Sequence, residues 1–280
     1  MAHLRGCGGG RFRLGVKKTL ITLVAGALGL YAALMALLWW GQERLLFHPD
    51  KLAADYRFNV APDVHETWIA VPGARLNALH LKLPNPKGVV FFLHGNAGSL
   101  DSWFTNTEFY RRANVDLFMF DYRGYGKSSG RIESQAQLEA DVRAAWAAVA
   151  PQYAGKKRVF YGRSLGTGLA AMLAAEVQPE LTVLVSPYTS MTALARQHYQ
   201  WVPTALLRYP LHTDTALARV KGPVVLAHGG SDTLIPPSHS EALKAVAPQA
   251  KLLLVPDAAH GDIHLFTAYL DGLKAALAMP

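Results

Sequence analysis

Positions 20–40 form an apolar run of 21 residues with no charge and only two hydroxyls, on Thr22 and Tyr31. At a helical rise of ~1.5 Å per residue the run is roughly 30 Å long, the hydrocarbon thickness of a bilayer. It closes on Trp39 and Trp40, ring types that favour the membrane interface. The pattern predicts one transmembrane helix over 19–42, followed by a polar juxtamembrane connector with scattered aromatics over 43–63. From Val64 onward, short apolar runs alternate with amphipathic stretches, which predicts alternating strands and helices in one domain over 64–280. Val64–Val71 and 76–83 flank the turn Pro72-Gly73. Gly88–Leu93, 115–120, 158–161, Leu181–Val185, 224–227 and 252–255 are mostly apolar runs, as expected of strands covered on both faces. Leu138, Val142, Trp146 and Val149 fall on one helical face, and Leu265, Tyr269, Leu273 and Leu277 recur every fourth residue. The predicted fold is α/β, a mostly parallel sheet flanked by helices, with ligands bound at the carboxyl ends of the strands.

One stretch breaks the alternation. Between two strands, residues 187–221 are part-helical, rich in Tyr and Leu, and interrupted by Pro203 and Pro210. That is too long for an ordinary connection and predicts a small lid over a site. Its apolar residues, among them Tyr188, Leu194, Tyr199, Trp201 and Leu207, are expected to line a channel to that site.

Charge refines the picture at the N-terminus. Arg5, Arg11, Arg13, Lys17 and Lys18 precede the apolar run with no acid among them and supply five of the eight net positive charges. Only Arg44 and Lys51 are basic just after it. This asymmetry predicts a basic cytoplasmic N-terminus over 1–18 and a folded domain on the non-cytoplasmic side, periplasmic in a bacterium. The basic excess is therefore a topology signal, and no basic-aromatic strip follows that would suit nucleic acid. A cleaved signal peptide fits less well, because the run is longer than an h-region and 39–44 (WWGQER) is a poor cleavage site. The single cysteine, Cys7, precedes the run, so the globular part has neither disulfide nor thiol nucleophile.

The candidate chemistry gathers just beyond the predicted strands. Gly162-Arg163-Ser164-Leu165-Gly166 matches G-x-S-x-G between a strand and a helix. A serine lifted on so sharp a turn needs glycines two residues either side, and the following amide, of Leu165, then faces a developing oxyanion. His94-Gly95-Asn96-Ala97-Gly98 follows an earlier strand, where the second oxyanion amide belongs, and Asn96 is the expected donor. The serine needs a base and the base an orienting carboxylate. Asp232 follows the strand at 224–227 and His260 follows the strand at 252–255, the expected positions of acid and base. Asp257, Asp262 and His264 compete by proximity; the first two read as caps of the last helix and His264 as a surface or packing residue. His94 reads as a support for its loop. Gly126-Lys127-Ser128 fails the P-loop pattern, because Asp121 stands where a glycine is required. His260 and His264 lack the glutamate of H-E-x-x-H, so neither a metal nor a cofactor is expected.

These motifs together resemble the α/β-hydrolase superfamily from Val64 to the C-terminus, and within it the membrane-anchored branch related to bud-emergence-type hydrolases. The matching stretches are HGNAG at 94–98, DYRGYGKSSG at 121–130, GRSLGTG at 162–168, SPYTSM at 186–191, HGGSDTLIP at 228–236 and AAHGDI at 258–263. The resemblance implies a triad of Ser164, Asp232 and His260, with structural roles for Asp121, Tyr122 and Arg123. It implies a serine hydrolase acting on esters or thioesters, bound to lipid through its N-terminal helix and meeting small or lipid-like acyl substrates. A peptidase or amidase of the same fold, or a non-catalytic membrane-bound scaffold, are the alternatives.

Overall fold

A computed structural model describes the backbone of residues 9–278 and the side chains of 17–278. Arg5 and Cys7 therefore lie outside the described residues, and of Arg11 and Arg13 only the backbone is described. The chain divides into two compact units, Met1–Gln42 and Glu43–Pro280. The long helix α1 (Gly9–Leu46) contains the apolar stretch Lys17–Leu46, long and apolar enough to cross a membrane, with mean hydropathy 2.2. Its leucines are largely exposed, Leu30 at 73%, so the helix is apolar on its outer surface. It runs past Gln42, the end expected from composition. Gly41 does not stop it, since one glycine inside a helix costs only about 1 kcal/mol.

The second unit is built on strands β1 (His48–Pro49), β2 (Val64–Val71), β3 (Ala74–Leu81), β4 (Gly88–Leu93), β5 (Ala97–Gly98), β6 (Asp116–Phe120), β7 (Lys157–Arg163), β8 (Leu181–Val185), β9 (Val224–Gly229) and β10 (Ala250–Val255). Its helices are α2 (Leu100–Trp103), α3 (Thr107–Ala113), α4 (Gln135–Val149), α5 (Gly166–Val177), α6 (Met191–His198), α7 (Thr213–Leu217), α8 (Ser238–Val246) and α9 (Thr267–Ala278). Eight strands form one sheet in the order β10-β9-β8-β7-β4-β6-β3-β2. The hairpin β2–β3 and the pair β3–β6 are antiparallel; every other pair is parallel. Every residue of β4, β6 and β8 is buried, as their mostly apolar runs predict of strands covered on both faces. One face carries α4, α5, α7 and α8, and the other α3 and α9. After β4 the chain first adds β6 on one side and then β7 on the other. The loops following β4 and β7 therefore diverge and leave a crevice at their carboxyl ends.

Four sequence expectations change. Residues 43–63 are not a free connector. β1 pairs in parallel with β5, the Glu43 carboxylate accepts from Tyr209 Oη (2.7 Å) and pairs with Arg208 (2.6 Å), and Phe47 packs edge-on against Tyr209. The segment 187–221 is partly core, because Tyr188, Tyr209, Leu211 and Leu217 are buried. Leu265 leaves the last helical stripe: it sits in a 3-10 turn, exposed, whereas Tyr269, Leu273 and Leu277 are buried on α9. Asp262 caps by a different route, its Oδ1 accepting from the Ala259 N–H at 2.7 Å rather than from α9.

Candidate active site

Ser164 sits between β7 and α5 in a left-handed backbone conformation, φ 51°. The glycines around it are required by space. A Cβ on Gly162 would lie 2.5 Å from the Gly166 carbonyl oxygen, and one on Gly166 would lie 2.0 Å from that of Leu93. The strained turn is held by three hydrogen bonds: Ser164 N–H to Val185 O (2.9 Å), and Thr167 N–H and Oγ1 to Ser164 O (2.9 and 2.7 Å).

The serine, the histidine and the aspartate expected to work together meet in one line. Ser164 Oγ lies 3.0 Å from His260 Nε2, and His260 Nδ1 lies 2.8 Å from Asp232 Oδ2. The second Asp232 oxygen accepts from the N–H groups of Leu234 and Ile235, at 3.0 and 2.8 Å. Burial pushes this carboxyl up, but the approach of His228 and the hydrogen bonds from His260 and the Ile235 N–H outweigh it. The group is held well below the usual carboxylate range. An ionised Asp232 fixes the imidazole with Nδ1–H toward it, leaving Nε2 free to accept the serine proton.

The loop after β4 is built to hold Asn96. The Asn96 carbonyl accepts from Tyr125 Oη (2.6 Å) and His48 N–H (2.8 Å), and its side-chain amide donates to Leu46 O (3.1 Å). Among the described residues, neither the Asn96 nor the Leu165 backbone N–H has a protein acceptor, as an oxyanion pocket requires. His94 supports this loop: its Nδ1 lies 2.8 Å from Gly95 O, its Nε2 lies 3.5 Å from Asp121 Oδ1, and Tyr122 Oη donates to its carbonyl at 2.9 Å. Asp121 also accepts from the Leu100 N–H at 3.0 Å, and Arg123 is paired with buried Asp141. All three residues of that motif are structural, as the motif suggested.

A cavity of about 490 Å³ opens beside Ser164 and His260. It runs along the sheet face shared by Phe92, Met119 and Tyr161, between α3 and α9, with Trp103 at the mouth. No residue of 187–221 lines it, which corrects the expected channel. The large side chains of that segment are spent elsewhere: Tyr188 Oη donates to Leu165 O (3.0 Å), and Tyr209 holds Glu43. His264 lines the cavity rim but makes no hydrogen bond to Ser164 or Asp232, and burial, with Arg163 beside it, pulls its pKa down. Among the described residues no three His, Cys, Asp or Glu side chains converge on a point where a metal would bind. Sequence reasoning missed Trp103, Tyr161 and Tyr269. They are ordinary aromatic positions in apolar stretches, and strand alternation does not say which face carries a cavity.

This sheet, its turn and its crevice define a hydrolase of the α/β-hydrolase kind, and the chain belongs to the α/β-hydrolase superfamily. A family profile described as serine aminopeptidase, S33, matches residues 84–213. An uncharacterised protein of Mycobacterium tuberculosis (strain ATCC 25618 / H37Rv) is 32% identical over 246 residues, 84% of each chain. The human alpha/beta hydrolase domain-containing protein 17B is 32% identical over 200 residues, 68% of this chain and 66% of the relative. A solved esterase of Pyrococcus furiosus superimposes with a TM-score of 0.65 at 20% identity, over 83% of this chain and 97% of the esterase.

Proposed function

We propose that the protein is a membrane-anchored serine hydrolase that cleaves carboxylic esters or thioesters through an acyl-enzyme. The observation that carries this reading is the unbroken line Asp232–His260–Ser164 ending on a serine in a left-handed turn. His260 Nε2 takes the Ser164 proton as Oγ attacks the acyl carbon, and the oxygen turned anionic points at the Asn96 and Leu165 N–H groups. Collapse breaks the bond to the leaving group, which takes the proton from His260. Water, deprotonated by the same imidazole, then releases the acid and restores the serine.

The cavity suits an acyl chain. Leu117 pairs with Val90 and Val90 with Val159, five residues before Ser164. At ~3.3 Å per residue the apolar floor therefore lies roughly 16 Å below the nucleophile. Each buried methylene contributes ~0.8 kcal/mol, so p-nitrophenyl butyrate to octanoate react at least several-fold faster than the acetate. The helix at Lys17–Leu46 supports anchoring to a bilayer, and the basic N-terminal residues support a catalytic domain outside the cytoplasm. An amide or peptide substrate is the second reading, favoured by the matching family description of serine aminopeptidase.

The test is labelling with a fluorophosphonate probe, lost in Ser164→Ala, together with kcat/KM for p-nitrophenyl esters from acetate to laurate and for a peptide panel. No label on folded wild-type protein removes the hydrolase reading in favour of a scaffold. A maximum at acetate removes the acyl channel, and a preference for peptides over every ester selects the second reading.

A further inference from the structure

The cavity beside Ser164 is lined by one arginine and, among the described residues, by no aspartate or glutamate. That arginine, Arg163, is half-buried at the end of β7, two positions beyond Tyr161 and so on the same face of the strand. Its guanidinium lies over the Trp103 ring, 5.3 Å from the centroid. One Nη2 donates to Gly261 O at 2.9 Å and reaches toward His260 O at 3.5 Å. No carboxylate pairs with it among the described residues, and its Nε and Nη1 have no protein acceptor there. The contrast within the folded body is plain. Every other arginine there that is not exposed is matched to a carboxylate: Arg111 to Asp63, Arg123 to Asp141, Arg143 to Glu176, Arg158 to Glu180 and Arg208 to Glu43.

A half-buried guanidinium without a counter-ion carries a desolvation cost that the Gly261 carbonyl and the Trp103 ring offset only in part. A substrate anion at the mouth of the cavity offsets it. The floor is apolar, with Phe92, Leu117 and Met119, and suits an uncharged chain. The anion therefore belongs on the part of the substrate left at the mouth. We propose that Arg163 is an anion-binding subsite, selecting esters or thioesters whose leaving group carries a carboxylate or a phosphate next to the scissile bond. Arginine suits both oxyanions, because its planar N–H fork matches their oxygens, and stacking on Trp103 keeps that plane oriented. The inference rests on Ser164 being the nucleophile and adds the chemistry of the leaving group.

The test compares three butyrate esters of the full-length, detergent-solubilised protein: 4-nitrophenyl, 3-carboxy-4-nitrophenyl and 3-phosphono-4-nitrophenyl. Differences in leaving-group acidity cancel when the charged-to-neutral ratio of kcat/KM in a variant is divided by that of wild type. Arg163→Gln and Arg163→Met each lower that ratio by on the order of tenfold, the loss expected of one charge-assisted hydrogen bond, and Arg163→Lys falls between. The charged ester with the larger drop identifies the anion. Fluorophosphonate labelling of Ser164 in each variant reports an intact site, and two non-basic variants guard against one that fails to fold. An unchanged ratio overturns the subsite. So does an equal loss on all three esters, which makes Arg163 only a clasp on the Gly261 loop. If wild type turns over none of the esters, the hydrolase reading itself falls, a result distinct from either.

Discussion

Ser164 holds a backbone conformation that a serine adopts only at a penalty of about 1–3 kcal/mol, maintained by Gly162, Gly166 and the bonds to Val185 and Thr167. Ser186 shares this conformation at φ 49°, so the residue-level signature of the proposed nucleophile is the strained turn together with the hydrogen bond to His260. Ser164→Ala lowers turnover of a reporter ester by on the order of 10⁴ to 10⁶, and the Ser164→Ala/His260→Ala double variant is scarcely worse than either alone. Retention of more than about a tenth of the activity in folded Ser164→Ala gives the role to another group. His264→Gln keeps at least roughly a tenth of wild-type activity and His260→Gln nearly none, because only His260 reaches both Ser164 and Asp232. Steady-state kinetics on the two variants check this, and the reverse order transfers the base. These residues were legible because their chemistry restricts their neighbours. Glycine must flank the serine, and acid and base must each follow a strand. Arg163 and Trp103 were not legible as cavity residues, since nothing in their local sequence says that the space beside them stays empty.

At the scale of elements, the short strap from Glu43 to Pro49 has the largest consequence. It was expected to be a connector, yet β1 pairs with β5, and His48 N–H and Tyr125 Oη both bind the carbonyl of Asn96. A strand of two residues leaves no period to recognise, so only the paired structure reveals it. The strap holds, through the Asn96 carbonyl, the residue whose N–H is proposed to meet the oxyanion. Tyr125→Phe, which keeps the ring and removes one of these bonds, lowers kcat by about tenfold with KM changed much less. That is below the ~10²–10³ lost when an oxyanion donor itself is removed. Measuring kcat and KM on p-nitrophenyl butyrate decides it; an unchanged kcat leaves Tyr125 with a packing role alone. The segment 187–221 teaches the converse. Its apolar residues were visible, but whether they faced a cavity or the core depended on partners distant in sequence, such as Glu43 and Leu165.

For the whole molecule, one buried group far from the site sets a pH dependence of stability. His80 on β3 lies 2.6 Å from Tyr153 Oη and edge-on to Phe118, and burial, helped by Lys82 and His65, pushes its pKa down to about 3. The folded state keeps it neutral, while an unfolded chain protonates it below its ordinary value of 6.5. Its contribution is therefore fully present above pH 6.5 and is lost as pH falls toward 3, at about 1.4 kcal/mol per pH unit. Asp116 nearby, raised by burial, works in the opposite direction. Urea unfolding at pH 6.5 and 5.5 isolates His80: between those values wild type loses about 1 kcal/mol more than His80→Phe. Equal losses remove His80 as the cause. Protease added outside intact spheroplasts tests the orientation proposed from charge. Digestion of the folded domain is expected, and protection until the membrane is opened reverses the topology.

The amino-acid order by itself determined the long apolar helix, the strand–helix alternation and the five residues proposed for the chemistry. These depend on local periodicity and on short-range steric rules that leave a mark in neighbouring residues. β4, β6 and β8 could be read because a strand covered on both faces is apolar at nearly every position. The cavity between α3 and α9, the strap against Asn96 and the uncompensated charge of Arg163 were decided only by tertiary structure. Each depends on which distant segments meet: β1 with β5, Trp103 with Arg163, and Glu43 with Tyr209. Burial and empty space are properties of that assembly, and no single stretch of chain encodes them.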